Sequence, residues 1–106
     1  MALLFANQTE NDILCRNELE EFSQDSRFKV SYTLDRPEEG WTGQTGFIND
    51  EMISACLPGP SDDTIVLLCG PPPMIKFACM PNLEKLGYNM DKVFSYWLFI
   101  WIIFLK

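Results

Sequence analysis

Histidine is absent from this sequence. Without it, Ser-His and Cys-His nucleophiles lack their usual proton acceptor, so hydrolase chemistry of that kind loses its main support. The same absence leaves Cys15, Cys56, Cys69 and Cys79 without the imidazole that often completes a zinc site. Those cysteines form no CxxC pair and are irregularly spaced, so neither a metal centre nor a disulfide framework is expected. Reduced thiols in a cytosol-facing compartment follow. Basic side chains are also scarce: eight stand against fifteen acidic ones, for a net charge of −7. They do not cluster, and nothing here attracts a phosphate backbone, so no nucleic-acid partner is expected. No GxGxxG occurs either; Gly40, Gly43 and Gly46 do not imitate its spacing.

What is present is the material of one small domain. At 106 residues and 47% apolar content, a single core is affordable but little stability is spare. Met1 to Ala6 (MALLFA) is a continuous apolar run and reads as a buried parallel-type strand opening into the polar NQTEND. A helix is expected next, capped by Thr9 and carrying Cys15, Leu19 and Phe22 on its inner face. FKVSYTL (28–34) alternates as a second strand, halted by Asp35, Arg36 and Pro37. Residues 38–46 read as a loop. Asn49 or Asp50 then caps a short helix through Leu57, ended by Pro58, Gly59 and Pro60. TIVLLC (64–69) is a third strand, stopped by Gly70. Pro72 and Pro73 lead into a helix whose first-turn amides would be unpaired anyway, with Gly87 as its C-cap. KVFSY (92–96) is a final short strand.

The fold class expected is therefore α/β, an open parallel sheet. Ligands in such sheets lie at the carboxyl ends of the strands. NQT, DRP and CGPPPM stand at three of those ends, and together they mark a candidate site. The last ten residues, WLFIWIIFLK, break the pattern. As a helix they reach about 15 Å, half of a bilayer's hydrocarbon core of about 30 Å, so they cannot span it as a simple helix. An exposed, aggregation-prone strand is the first expectation for this tail, ahead of an interfacial segment or one buried in a partner.

In this order the pieces LLFANQTENDIL (3–14), RFKVSYTLDRP (27–37), GFINDEMI (46–53), VLLCGPPPMIKFAC (66–79) and PNLEKLGY (81–88) resemble the carboxyl-terminal half of the pyridine-nucleotide domain of the NADH-cytochrome b5 reductase family, within the ferredoxin-reductase superfamily. The resemblance runs from Leu3 to about Tyr96, which makes residues 1–96 the expected domain portion and 97–106 an apolar extension outside the pattern. It implies a partial sheet lacking its first, central strand, together with the pyrophosphate-binding turn and the FAD-binding β-barrel. The implied cofactors are NADH and, in the family, FAD; the implied partner is cytochrome b5. A cytosol-facing location at the endoplasmic reticulum or mitochondrial outer membrane goes with it.

Residue by residue, the resemblance puts Cys69 beside the nicotinamide ring as packing rather than as a nucleophile. A thiol can border the ring without hydrating it, Gly70 lets the backbone approach, and Pro71 and Pro72, ahead of Met74, stiffen the corner. Asp35 falls where the family reads the adenosine ribose. Its carboxylate can accept bonds from both hydroxyls and repels a 2′-phosphate, favouring NADH, while Arg36 tempers that repulsion. Phe47 lies near the adenine or else in the core. Asn7, Gln8 and Thr9 approach the nucleotide from a neighbouring strand end, unless Thr9 is only a cap. The expected function is that of the reductase lineage, hydride transfer from NADH to FAD and electrons on to cytochrome b5, with this chain alone inactive. The alternative is a non-catalytic isoform or gene-model fragment acting through contact of residues 97–106 with protein or membrane.

Overall fold

The computed structural model of the chain describes residues 1–97 and 101–105. Six strands form one sheet in the order β3-β2-β1-β6-β4-β5. They are β1 (Ala2–Asn7), β2 (Lys29–Leu34), β3 (Gln44–Thr45), β4 (Val66–Gly70), β5 (Val93–Trp97) and β6 (Trp101–Leu105). β1 to β5 share one direction. β6 runs against β1 and β4, its two neighbours.

β1 to β5 form the expected parallel α/β sheet, and one expectation is corrected. The central position of the sheet is occupied: Ile103 pairs with Leu4 on one side and Leu68 on the other, so the described part of the tail is an antiparallel strand inside the sheet and not an exposed one. The physical reason is that β1 and β4 each present a row of unpaired amides and carbonyls, and an apolar segment of high β propensity satisfies both rows at once. The remainder of the expected 97–106 extension, residues 98–100 and 106, lies outside the described residues. No helix among the described residues is long and apolar enough to cross a membrane.

Among the described residues three short α-helices flank the sheet: α1 (Arg16–Phe22), α2 (Asp50–Cys56) and α3 (Met80–Lys85). Alternation along β1 splits the core in two. Leu3 and Phe5 pack on Ile13 and Leu34, with Leu19 of α1 at the margin. Ala2, Leu4 and Ala6 face the other way and join Val66 and Leu68 of β4 beneath Ile53, Ile75, Cys79 and Leu83. Leu4, Leu68 and Leu83 are completely buried, each contributing about 1.5–3 kcal/mol of transfer free energy. The first of these faces is only half covered. Leu67 pairs with Phe94, and Cys69 with Tyr96, so these four share a face; Leu67, Phe94 and Tyr96 are exposed there.

Local chemistry shaped the helices differently from their sequence pattern. The helix expected from Thr9 is interrupted. The Thr9 amide and hydroxyl both donate to Asp12 Oδ2, at 3.0 and 2.8 Å, around a 3-10 turn at Glu10–Asp12. Ile13 then drops onto the sheet, and Cys15, at φ 54°, turns the chain into α1. Burying Ile13 outweighs continuing the helix. Arg16 fixes α1 through Glu20 at 3.0 Å, and its guanidinium carbon lies 5.9 Å from the ring centres of both Tyr32 and Trp41. Asn49 is the cap of α2, its side chain accepting from the Met52 amide at 2.9 Å. Met74–Cys79 is a π-helix ahead of α3, and the Met80 amide reaches Ile75 rather than Lys76. Pro81, which lacks an amide donor, follows directly. Its ring would crowd the carbonyl of Phe77, and the wider turn relieves that crowding.

Cys79 lies within this widened turn and is fully buried. Desolvation pushes its thiol up to about 12 from an ordinary value of 9.0. A thiol whose pKa is higher folded than unfolded favours folding while protonated. That contribution is complete below about pH 9 and is lost as pH climbs through about 12. Urea midpoints measured between pH 8 and pH 11 are expected to fall, and Cys79→Ala to flatten part of that slope. Tyr32 and Tyr88, also pushed up by burial, account for the rest. An unchanged slope in Cys79→Ala would remove the thiol as a cause.

Candidate functional site

The carboxyl ends of β1, β2 and β4 lie along one edge of the sheet, where chain direction changes sense. β1 leads outward to β2, whereas β4 leads the other way to β5. A change of this kind leaves a crevice in open α/β sheets. On its β1–β2 side, parallel pairing continues beyond the strands. The Asp35 amide donates to the Asn7 carbonyl at 3.0 Å, and the Arg36 amide to the Gln8 carbonyl at 2.8 Å. Asn7, Gln8, Asp35 and Arg36 are thereby gathered at one point. Thr9 is engaged in its bonds to Asp12.

Two groups in this cluster have the character of ligand contacts. Asn7 Nδ2 is buried and has no hydrogen-bond partner among the described residues, a donor that a ligand oxygen would satisfy. Asp35 is half-buried, and desolvation raises its carboxyl above the usual range while Arg36 pulls it back down. A carboxylate in that setting accepts hydroxyl donors and resists a second anion.

At the end of β4 the chain passes from Cys69 through a buried Gly70 into the proline corner. The Pro71 carbonyl accepts from the amides of Met74 and Ile75, at 3.1 and 3.2 Å, so the helix starts at once on prolines that have no amide to satisfy. Beside this corner lies an apolar cleft of about 550 Å³ bordered by Phe47, Pro71, Pro73, Met74, Phe77 and Asn82. That volume is in the range of small-molecule sites. Phe47, which the sequence left between core and ligand contact, is 70% exposed on the cleft wall, while its neighbour Ile48 takes the core position.

The structure thus assembles two groups of the expected residues. Asn7, Gln8 and Asp35 meet at the ends of β1 and β2; Phe47, Pro71 and Met74 meet around the cleft. Cys69 is half-buried at the end of β4, level with Tyr96 of β5. Pro72 is exposed and is not on the cleft wall, where Pro73 stands instead. Pro73, Phe77 and Asn82 were missed in the sequence, although Met74, Phe77 and Ala78 at helical spacing carry a usable signal. Among the described residues no group of histidine, cysteine or carboxylate side chains could hold a metal ion.

Comparison with known proteins agrees with this architecture. The model of the Oxidoreductase NAD-binding domain family matches residues 1–80. NADH-cytochrome b5 reductase 3 of Rattus norvegicus is 52% identical over 89% of this chain and 32% of its own length. NADH-cytochrome b5 reductase 2 of Homo sapiens is 53% identical over 91% of this chain and 36% of its own. The chain spans about a third of the length of these curated relatives. Among solved structures, the cytochrome b5 reductase domain of Ulva prolifera nitrate reductase superposes with a TM-score of 0.84 at 48% identity, over 88% of this chain and 36% of that one. The CS-b5R domains of human Ncb5or, in an NAD+ form, give 0.76 at 28% identity, over 88% and 27%.

Proposed function

Because the chain belongs to the Oxidoreductase NAD-binding domain family, we propose that it is the NADH-binding portion of an NADH-cytochrome b5 reductase, and that the carboxyl edge of its sheet is the nucleotide site. The observation that carries this reading is the pairing of a half-buried carboxylate, Asp35, with an orphaned buried donor, Asn7 Nδ2, on the strand alongside. Asp35 holds the adenosine ribose by accepting its hydroxyl protons. Phe47, Met74 and the proline corner enclose the flatter, less polar part of the nucleotide in the cleft.

Bound NADH supplies the hydride, and the residues here position it. Cys69 borders the nicotinamide with a small polarizable group that brings no water to the ring, and Gly70 allows close backbone approach. Transfer to flavin and onward to cytochrome b5 belongs to a longer reductase, and this chain alone is inactive in that transfer.

Thiol protection tests the reading directly. Cys15 is exposed and Cys69 half-buried, whereas Cys56 and Cys79 are buried. Iodoacetamide is expected to label Cys15 quickly and Cys69 slowly in the folded chain. Added NAD+ is expected to slow Cys69 alone, resolved by peptide mass spectrometry. If Cys69 labels equally fast at saturating NAD+, the nicotinamide does not lie there.

A further inference from the structure

Asp35 and Phe47 stand at opposite ends of the loop that leaves β2, and the structure joins those ends by a clasp. β3 returns beside β2 with Thr33 paired to Gln44 and Leu34 to Thr45. The Gly46 amide then donates to the Leu34 carbonyl at 2.9 Å, and the Thr33 hydroxyl donates to the Gly46 carbonyl at 2.8 Å. Both polar groups of Gly46 are therefore held by β2. Gly46 sits at φ +85°, a conformation that turns the chain away from β3 toward Phe47 at little steric cost to glycine. Thr33 itself is completely buried.

We infer that Thr33 is a positioning residue for the adenosine half of the nucleotide, setting the separation between Asp35 and Phe47 through its bond to the Gly46 carbonyl. The inference rests on the NADH reading above. Thr33 is adjacent in sequence to Leu34, whose neighbour is Asp35; Gly46 is adjacent to Phe47. One hydroxyl therefore couples the polar contact to the apolar wall. If the hydroxyl is lost, the Gly46 carbonyl loses its partner and the loop holds more conformations. The ordering then has to accompany binding, which weakens it. The nicotinamide end depends on Cys69 and Gly70 at the end of β4, outside the clasp.

Calorimetric titration of the whole chain with ADP-ribose and, separately, with nicotinamide mononucleotide distinguishes this role from a general loss of fold. Thr33→Val is expected to weaken ADP-ribose about tenfold and leave the mononucleotide within twofold. Thr33→Ser, which keeps the hydroxyl, is expected to restore ADP-ribose to within about threefold. In an Asp35→Ala background Thr33→Val should weaken ADP-ribose far less, because the two act on one contact. If Thr33→Val does not fold, Thr33→Ala, which leaves room for water at the Gly46 carbonyl, is expected to show the same split. Equal ADP-ribose binding by wild type and Thr33→Val overturns the inference alone, as does a loss shared equally with the mononucleotide. Failure of wild type to bind ADP-ribose overturns the nucleotide reading, and the inference with it.

Discussion

A chain ending at Trp97 is expected to lose its cooperative unfolding transition. β1 and β4 do not pair with each other; each pairs with β6, through Ala2–Ala6 and Val66–Cys69. Removing β6 divides the sheet into a three-stranded part, β3-β2-β1, and a two-stranded part, β4-β5. The two-stranded part is too narrow to stand alone, and the two inner edges left open are lined by the backbone of fully buried Leu4 and Leu68. A milder version is Ile103→Pro, which removes one central ladder donor and clashes with the neighbouring backbone. Proline costs about 3 kcal/mol or more inside a helix, and in the middle of a sheet, where it is all but excluded, a shift on the order of the same size is expected. For a domain whose whole stability is on the order of 5–15 kcal/mol, that shift is large. Circular dichroism melts with light scattering decide the matter. A truncated chain that melts cooperatively within a few degrees of the full one would remove β6 as a structural element, and would return the tail to a peripheral role.

The second large effect concerns Asp35. Asp35→Ala is expected to weaken ADP-ribose about 10- to 100-fold, since hydrogen bonds to a charged group contribute about 1.5–3 kcal/mol each and 1.4 kcal/mol is tenfold. The same substitution removes the repulsion that disfavours a 2′-phosphate, so 2′-phospho-ADP-ribose is expected to lose much less, with Arg36 adjacent to receive it. The pH dependence has a definite sign. Burial raises the Asp35 carboxyl from its ordinary 3.8, so the proton-free acceptor is complete at neutral pH and disappears on acidification at a midpoint above that value. ADP-ribose affinity should fall over that acidic range in wild type and stay flat in Asp35→Ala. Should the substituted chain keep the wild-type preference between the two nucleotides, Asp35 does not read the ribose.

Much of this fold was legible in the residues because the signals were local. β1, β2, β4 and β5 follow from apolar runs and alternation, the Asn49 cap from its side chain, and the helix start at Pro72 from the missing amides. The failures have non-local causes. Gln44–Thr45 has no apolar pattern, and its pairing depends on Thr33 and Leu34. The break before α1 comes from Ile13 seeking Phe5 and Leu34. The π-helix turns on the position of Pro81. For β6 the difficulty is greatest: a uniformly apolar run reads the same whether buried centrally or left outside, and its partners are remote in sequence, β1 at the opposite end of the chain and β4 more than thirty residues upstream. The site divides likewise. Asp35 and the Cys69–Gly70 corner were visible as motifs, whereas Pro73, Phe77 and Asn82 join the cleft only once the prolines have aimed their helix.

The position of β6 has a consequence for how the protein is made. Translation proceeds from the amino end, so β1 and β4 emerge well before the strand that joins them. At about 5–20 residues per second, β1 waits on the order of ten seconds on the ribosome before Leu105 is available. During that interval its inner edge and that of β4 are open to other nascent chains. The sheet can close only after translation has passed residue 105, which makes chaperone supply and synthesis rate, rather than thermodynamic stability alone, determinants of soluble yield.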